Sequence, residues 1–153
     1  MIIERYFSFY VDLSFMHDIK RLFKRSDFPF ILKYQSLRDI LIDHDLAALG
    51  DAFVNFIYSL ALSFRSGKPV GEKLDNETLA SALREAGLRK VLPSRMDKHE
   101  MANAAEALIV YAWLLGVMSI GDILKIIERS EDIRDSWRIL LQRIAEEIRL
   151  LWT

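Results

Sequence analysis

The sequence predicts a single all-α domain, and three observations carry the prediction. Three long segments repeat apolar residues at spacings of mostly three and four, the period of a helix packed along one face. Residues that cap helices stand at their ends, Asp, Asn or Ser before and glycine after. No Gly/Ser-rich linker, internal repeat or low-complexity tract divides the 153 residues, a length that one core can serve.

Taken in order, the N-terminus reads two ways. Phe7, Phe9, Val11, Leu13 and Phe15 alternate with Tyr6, Ser8, Tyr10, Asp12 and Ser14, as in a strand, while Ile3, Tyr6, Tyr10 and Leu13 fit a helical stripe. Helix agrees better with the rest of the chain. Residues 36–42, "SLRDILI", form a short helix capped by Ser36. The first long segment carries Leu46, Leu49, Phe53, Phe56, Ile57, Leu60 and Phe64, with Asp43 as its cap and Ser66–Gly67 before Pro69 as its stop. Asp75 or Asn76 caps a short helix that ends at Gly87, ahead of a turn near Pro93. The second long segment runs from about Asp97 through Leu115, with Leu108, Tyr111, Leu115 and Met118 on its apolar side and Gly116 or Gly121 interrupting it. The third holds Ile133, Trp137, Leu140, Leu141, Ile144, Ile148 and Leu151 against an Arg- and Glu-rich face.

Composition narrows the function classes. With 52% hydrophobic and 28% charged residues the chain is globular rather than disordered. Without cysteine it has no disulfide, no thiolate metal site and no thiol nucleophile. A net charge of −1 leaves nucleic-acid binding to local basic patches. The longest apolar run, Ala107 to Met118, is short of the roughly 20 residues that span a bilayer. Glu4, Arg5 and Asp12 interrupt the apolar N-terminus, unlike a signal peptide. The expectation is a cytoplasmic protein with no membrane partner.

The stretch "HDLAALGDAF", residues 44–53, sets Gly50 beside Asp51 inside a helical pattern. An interior glycine costs a helix about 1 kcal/mol relative to alanine, so this one implies a close backbone approach. Ala47, Ala48 and Ala52 surround Asp51, and Ala102, Ala104, Ala105 and Ala107 surround Glu106. Two such small-residue regions can cross closely, each bringing an acid to a common space. His44 lies seven residues before Asp51, and His99, Asn103 and Glu106 are spaced four and three apart, so each set shares a helix face. Oxygen donors of this kind suit Mg²⁺, and imidazoles widen the choice to Mn²⁺ or Zn²⁺. The plainer reading pairs the acids with Arg84, Arg89, Arg95 or Lys98 as surface salt bridges.

Three segments in order resemble a known family. "HDLAALGDAFVNFIYSLAL" is similar to the signature helix of the ribonuclease III endonuclease domain, Glu-x-x-Glu-Phe-Leu-Gly-Asp-Ala. "LDNETLASALREAGLRKVLP" resembles that family's next helix and turn, and "KHEMANAAEALIVYAWLLG" its second acidic helix, through the Glu-Ala-Leu-Ile string from Glu106 to Ile109. The resemblance covers about residues 31–128, leaving 1–30 as an N-terminal extension of a single domain over 1–153. It implies a ribonuclease III endonuclease-domain-like helical bundle. It also implies Mg²⁺- or Mn²⁺-dependent cleavage of structured or double-stranded RNA, with Asp51 and Glu106 as catalytic metal ligands. Asn103 would be a supporting ligand, with His44 and His99 as further candidates.

The pattern is only partly kept. The family's second signature Glu falls on Ala47, its first on His44, its Phe on Ala48, and the Asp three before Glu106 falls on Asn103. A chain of this length resembles the short Mini-III group, which consists of the catalytic domain alone, and family members act as two-fold dimers on A-form duplexes. Phosphate contacts are expected from Arg84, Arg89, Lys90, Arg95 and Lys98, and from Lys20, Arg21, Lys24 and Arg25 in "IKRLFKRS". Two other functions stay open: a non-catalytic RNA-binding or assembly module on the same fold, and a helical dimerisation protein with no RNA function.

Overall fold

Helix α1 spans Leu37–Leu41, α2 His44–Ser66, α3 Asn76–Glu85, α4 Lys98–Leu114, α5 Ile120–Arg129 and α6 Ile133–Arg149. They belong to a computed structural model that describes residues 28–150. The helix-or-strand question at the N-terminus, the basic group Lys20, Arg21, Lys24 and Arg25, and Leu151 lie outside the described residues. Short 3₁₀ turns at Pro29–Lys33 and Leu88–Val91 complete the described elements, which include no strand.

Local chemistry sets the helix boundaries. Ser36 accepts from the Asp39 N–H at the start of α1, and Asp43 accepts from the Leu46 N–H at the start of α2. Asp75 rather than Asn76 caps α3, accepting from the Thr78 N–H at 2.8 Å. Asp97 and Glu100 form a reciprocal capping box on α4, as Ser119 and Asp122 do on α5. α2, α3 and α4 are followed by Gly67, Gly87 and Gly116, all in the left-handed region, where a Cβ would be strained.

One alternative is resolved here and one expectation corrected. Gly116 is the break after α4; Gly121 lies inside the first turn of α5. The 120–129 helix is therefore separate, and Met118 belongs to the turn rather than to the face of α4.

α4 is the central element. Ala102, Ala104, Ala105, Ala107, Leu108, Ile109, Val110 and Ala112 are all fully buried, so the helix is apolar around most of its circumference. α2 makes the largest contact with it, and α1, α3 and α6 enclose the rest. That burial accounts for the apolar run from Ala107. The 23-residue α2 is long and apolar enough to cross a membrane by length and composition. In this fold Leu46, Phe53, Val54, Ile57 and Ala61 bury one side of it in the core.

Its apolar periodicity serves two faces rather than one. Leu49, Phe56 and Phe64 are 44%, 52% and 73% exposed.

Candidate functional site

The closest approach of α2 and α4 falls at Gly50. A Cβ on this residue would lie 2.2 Å from the Glu106 carbonyl oxygen and 2.4 Å from its carbonyl carbon. Only glycine admits that contact. The next residue along α2 is Asp51, half-buried beside Glu106, which is 4% exposed. The small residues expected to let two helices cross do so, and the crossing sets the two carboxyl groups against each other.

The burial of Glu106 beside Asp51 favours its protonated form. Burial, the charge of Asp51 and the hydrogen bond between the two side chains together push the Glu106 carboxyl up to about 8, against a smaller opposing effect of Lys73. Two carboxylates this close cannot both ionise without a compensating cation. The apparent titration therefore belongs to the pair.

Two residues that sequence reasoning missed complete the site. The Asn55 side-chain amide donates to Asp51 Oδ1 at 3.1 Å, and its carbonyl oxygen accepts from the Leu74 N–H at 2.9 Å. Asn55 thus fixes the carboxylate and ties the segment before α3 to α2, bringing Lys73 near Glu106. Its i+4 spacing from Asp51 was a readable signal; Lys73 gave none, because the tie is made in three dimensions. Ser59 and Ser63 lace the same segment to α2, exchanging hydrogen bonds with the backbone of Glu72 and Val70. Replacing Asn55 with alanine removes both of its bonds and is expected to cost about 1–3 kcal/mol in denaturant unfolding. A cost under a few tenths would mean that the tie is not structural.

The remaining candidates are distributed differently. His44, Ala47, Asn103 and Arg95 line one cleft of about 150 Å³ between the starts of α2 and α4. His99 lies in the first turn of α4 with Nδ1 3.2 Å from the Asn76 amide. Among the described residues no group of three or more His, Cys, Asp or Glu side chains is placed to hold a metal, so neither histidine joins the acid pair in such a group.

The basic zone is also partly committed. Arg84 and Lys98 both pair with Glu77, at 3.3 and 3.5 Å. Arg89 donates to the carbonyls of Pro93 and Ser94 at 2.7 Å and so holds its own loop. Lys90 and Arg95 are exposed, with no ion pair within 4 Å among the described residues.

A helical fold whose Gly-Asp helix crosses a Glu-Ala-Leu-Ile helix at its acids matches the arrangement the resemblance implied. No curated protein matches the chain. The family model described as Ribonuclease III matches residues 44–146, from the first residue of α2 to the last turns of α6. The match runs past the limit of about residue 128 given by the resemblance and into α6, leaves residues 31–43 outside, and spans about two thirds of the sequence. The chain belongs to the ribonuclease III family.

Proposed function

We propose that the protein is a divalent-metal-dependent endoribonuclease acting on structured or double-stranded RNA. One observation carries the reading: Asp51 and Glu106 meet at the α2–α4 crossing, in a helical fold of this family. Burying two carboxyl groups against each other is costly unless a proton or a cation sits between them. Mg²⁺ takes one or two carboxylates and keeps several waters, so this donor set fits Mg²⁺ or Mn²⁺. Asp51 and Glu106 would hold the ion, supported by Asn103 one turn earlier on α4. When bound, such an ion activates water and stabilises charge on the scissile phosphate.

The chain's own residues have distinct parts in this reading. Asn55 orients Asp51 through its amide. Glu106, whose carboxyl is held well above the usual carboxylate range, would have to give up its proton to serve as a ligand. Lys73 offsets part of the negative charge. Lys90 and Arg95, unpaired among the described residues, would neutralise backbone phosphates, an interaction that gives affinity without sequence preference. The exposed stripe of Leu49, Phe56 and Phe64 on α2 supports a homodimer through that helix.

A second reading has its own support. Ala47 and Asn103 stand where the family pattern has acids, and the described residues hold no third carboxylate at the pair. Both favour an RNA-binding module that has lost cleavage. Incubation of a labelled RNA duplex with Mg²⁺ or Mn²⁺, with and without chelator, separates the two. Metal-dependent cutting is expected, falling at least a hundredfold in the Asp51→Ala/Glu106→Ala variant. Salt-sensitive binding without cutting would leave the binding module. Neither binding nor cutting would leave the family fold alone.

A further inference from the structure

Away from the acid pair, α5, α6 and the turn after α4 enclose a cleft of about 320 Å³. Lys125 and Arg129, four residues apart on α5, share one face, and Arg143 reaches the same cleft from α6. None of the three has an ion pair within 4 Å among the described residues. Two acids also line the cleft, and one is already engaged. Asp122 accepts from the Ser119 N–H at 3.0 Å, and its carboxyl lies below the usual range through its bonds to Ser119, with Lys125 and Arg143 adding to the effect. The other, Glu147, lines the cleft from α6, four residues after Arg143.

The three cations share the cleft with only two carboxylates, so part of their charge is uncompensated. They are offset most directly by a ligand with several anionic oxygens. Two guanidinium groups and an ammonium suit a phosphate, which arginine can meet with paired N–H donors. Met118 and Ile126, both buried, give the cleft an apolar floor. Its volume, at the low end for ligand pockets, admits one phosphate-bearing group rather than a large molecule.

We propose that Lys125, Arg129 and Arg143 form a phosphate-binding site, distinct from the Asp51–Glu106 pair, that takes a backbone phosphate of an RNA strand. The site stands on its own residues; naming RNA as the source of the phosphate rests on the reading given under Proposed function.

The test uses the full chain in chelator, so that binding is read without cleavage. An Arg129→Ala/Arg143→Ala variant is compared with wild type and with Arg38→Ala/Lys68→Ala, which removes the same charge from exposed positions elsewhere. One arm measures binding of a labelled RNA duplex across a salt series. The other measures the rise in Tm caused by inorganic phosphate, against chloride at equal ionic strength.

The cleft variant is expected to bind duplex at least several-fold more weakly. Its salt slope should fall by about 0.9 for each phosphate that the cleft no longer neutralises, while the control variant keeps the wild-type slope. A phosphate-dependent Tm rise that the cleft variant loses, with duplex binding unchanged, would retain the site and assign it to free phosphate. A wild-type chain that binds no duplex would overturn RNA as the source, and the phosphate arm would still decide the cleft. The site is overturned if the cleft and control variants behave alike in both arms.

Discussion

Gly50→Ala is expected to be the most destabilising single-methyl addition in the described chain. The new Cβ would sit 2.2 Å from a backbone oxygen and 2.4 Å from a backbone carbon of Glu106. Neither atom can swing aside as the tip of a long side chain does, so α2 and α4 must separate. Those two helices share the largest interface in the fold, so separation strips packing along both. Alanine's better helix propensity returns only about 1 kcal/mol. The net loss is expected to reach or exceed the upper end of the roughly 1–3 kcal/mol that overpacking usually costs. That is a large share of a typical domain's stability of about 5–15 kcal/mol. Gly71→Ala is the control, because a Cβ there meets nothing within 4 Å. Chemical denaturation of both variants decides the matter. A Gly50→Ala stability within about 1 kcal/mol of wild type would mean that the crossing adapts and the close approach does not constrain the fold.

The second large effect is on the pH dependence of stability. The folded chain holds the Glu106 proton up to about pH 8, against an ordinary value of 4.5. Below pH 4.5 both folded and unfolded chains carry that proton, and it has no effect on the balance. Between 4.5 and about 8 the unfolded chain gives it up while the folded chain keeps it, so the folded state loses ground as pH rises. Above about 8 both are ionised, and the loss is complete. Through this window the linkage is worth on the order of 3–5 kcal/mol. Glu106→Gln keeps the shape and a donor toward Asp51 but has nothing to ionise. It is expected to flatten the profile and to be the more stable protein at about pH 8. Urea melts of both chains in chelator from about pH 5 to about pH 8.5 measure this. Parallel profiles for wild type and variant would show that the pair is not protonated in the folded state.

The regular parts of the fold were legible because local rules set them. The caps at Ser36, Asp43 and Asp97 and the stops at Gly67, Gly87 and Gly116 are short-range chemistry that a sequence displays. Helix α5 was harder, since its ten residues follow α4 after a brief turn and only Ile123, Ile126 and Ile127 of them are buried. Spacing within one helix could not show that Leu49 and Phe56 face outward. A stripe wide enough for two faces has the same period as a stripe for one.

The candidate site divides along the same line. Gly50, Asp51 and Glu106 came from pattern: small residues flanking an acid on each of two helices. His44 and His99 share helix faces with those acids, but sharing a face is not sharing a point. The turns between them separate His99 toward Asn76 and His44 toward the Arg95 cleft. Asn55 was readable only as a residue four after Asp51; its tie to Leu74, which brings Lys73 near, closes a loop onto α2 and no periodicity reports it. The basic zone was legible as charge and not as availability, because Arg89 and Lys98 are already engaged with Pro93 and Glu77.

The crossing at Gly50 also bears on how such a chain can age. Asp51 and Glu106 can each be exchanged for a neutral side chain of similar size while the two backbones remain in contact. Gly50 has no such substitute, since every other residue adds the atom the contact excludes. A chain of this fold can therefore lose its acids one at a time and keep folding; here Ala47 and Asn103 stand where the resemblance places two of them. The glycine must stay for as long as the two helices cross, and it is the feature by which a silent descendant would still be recognised.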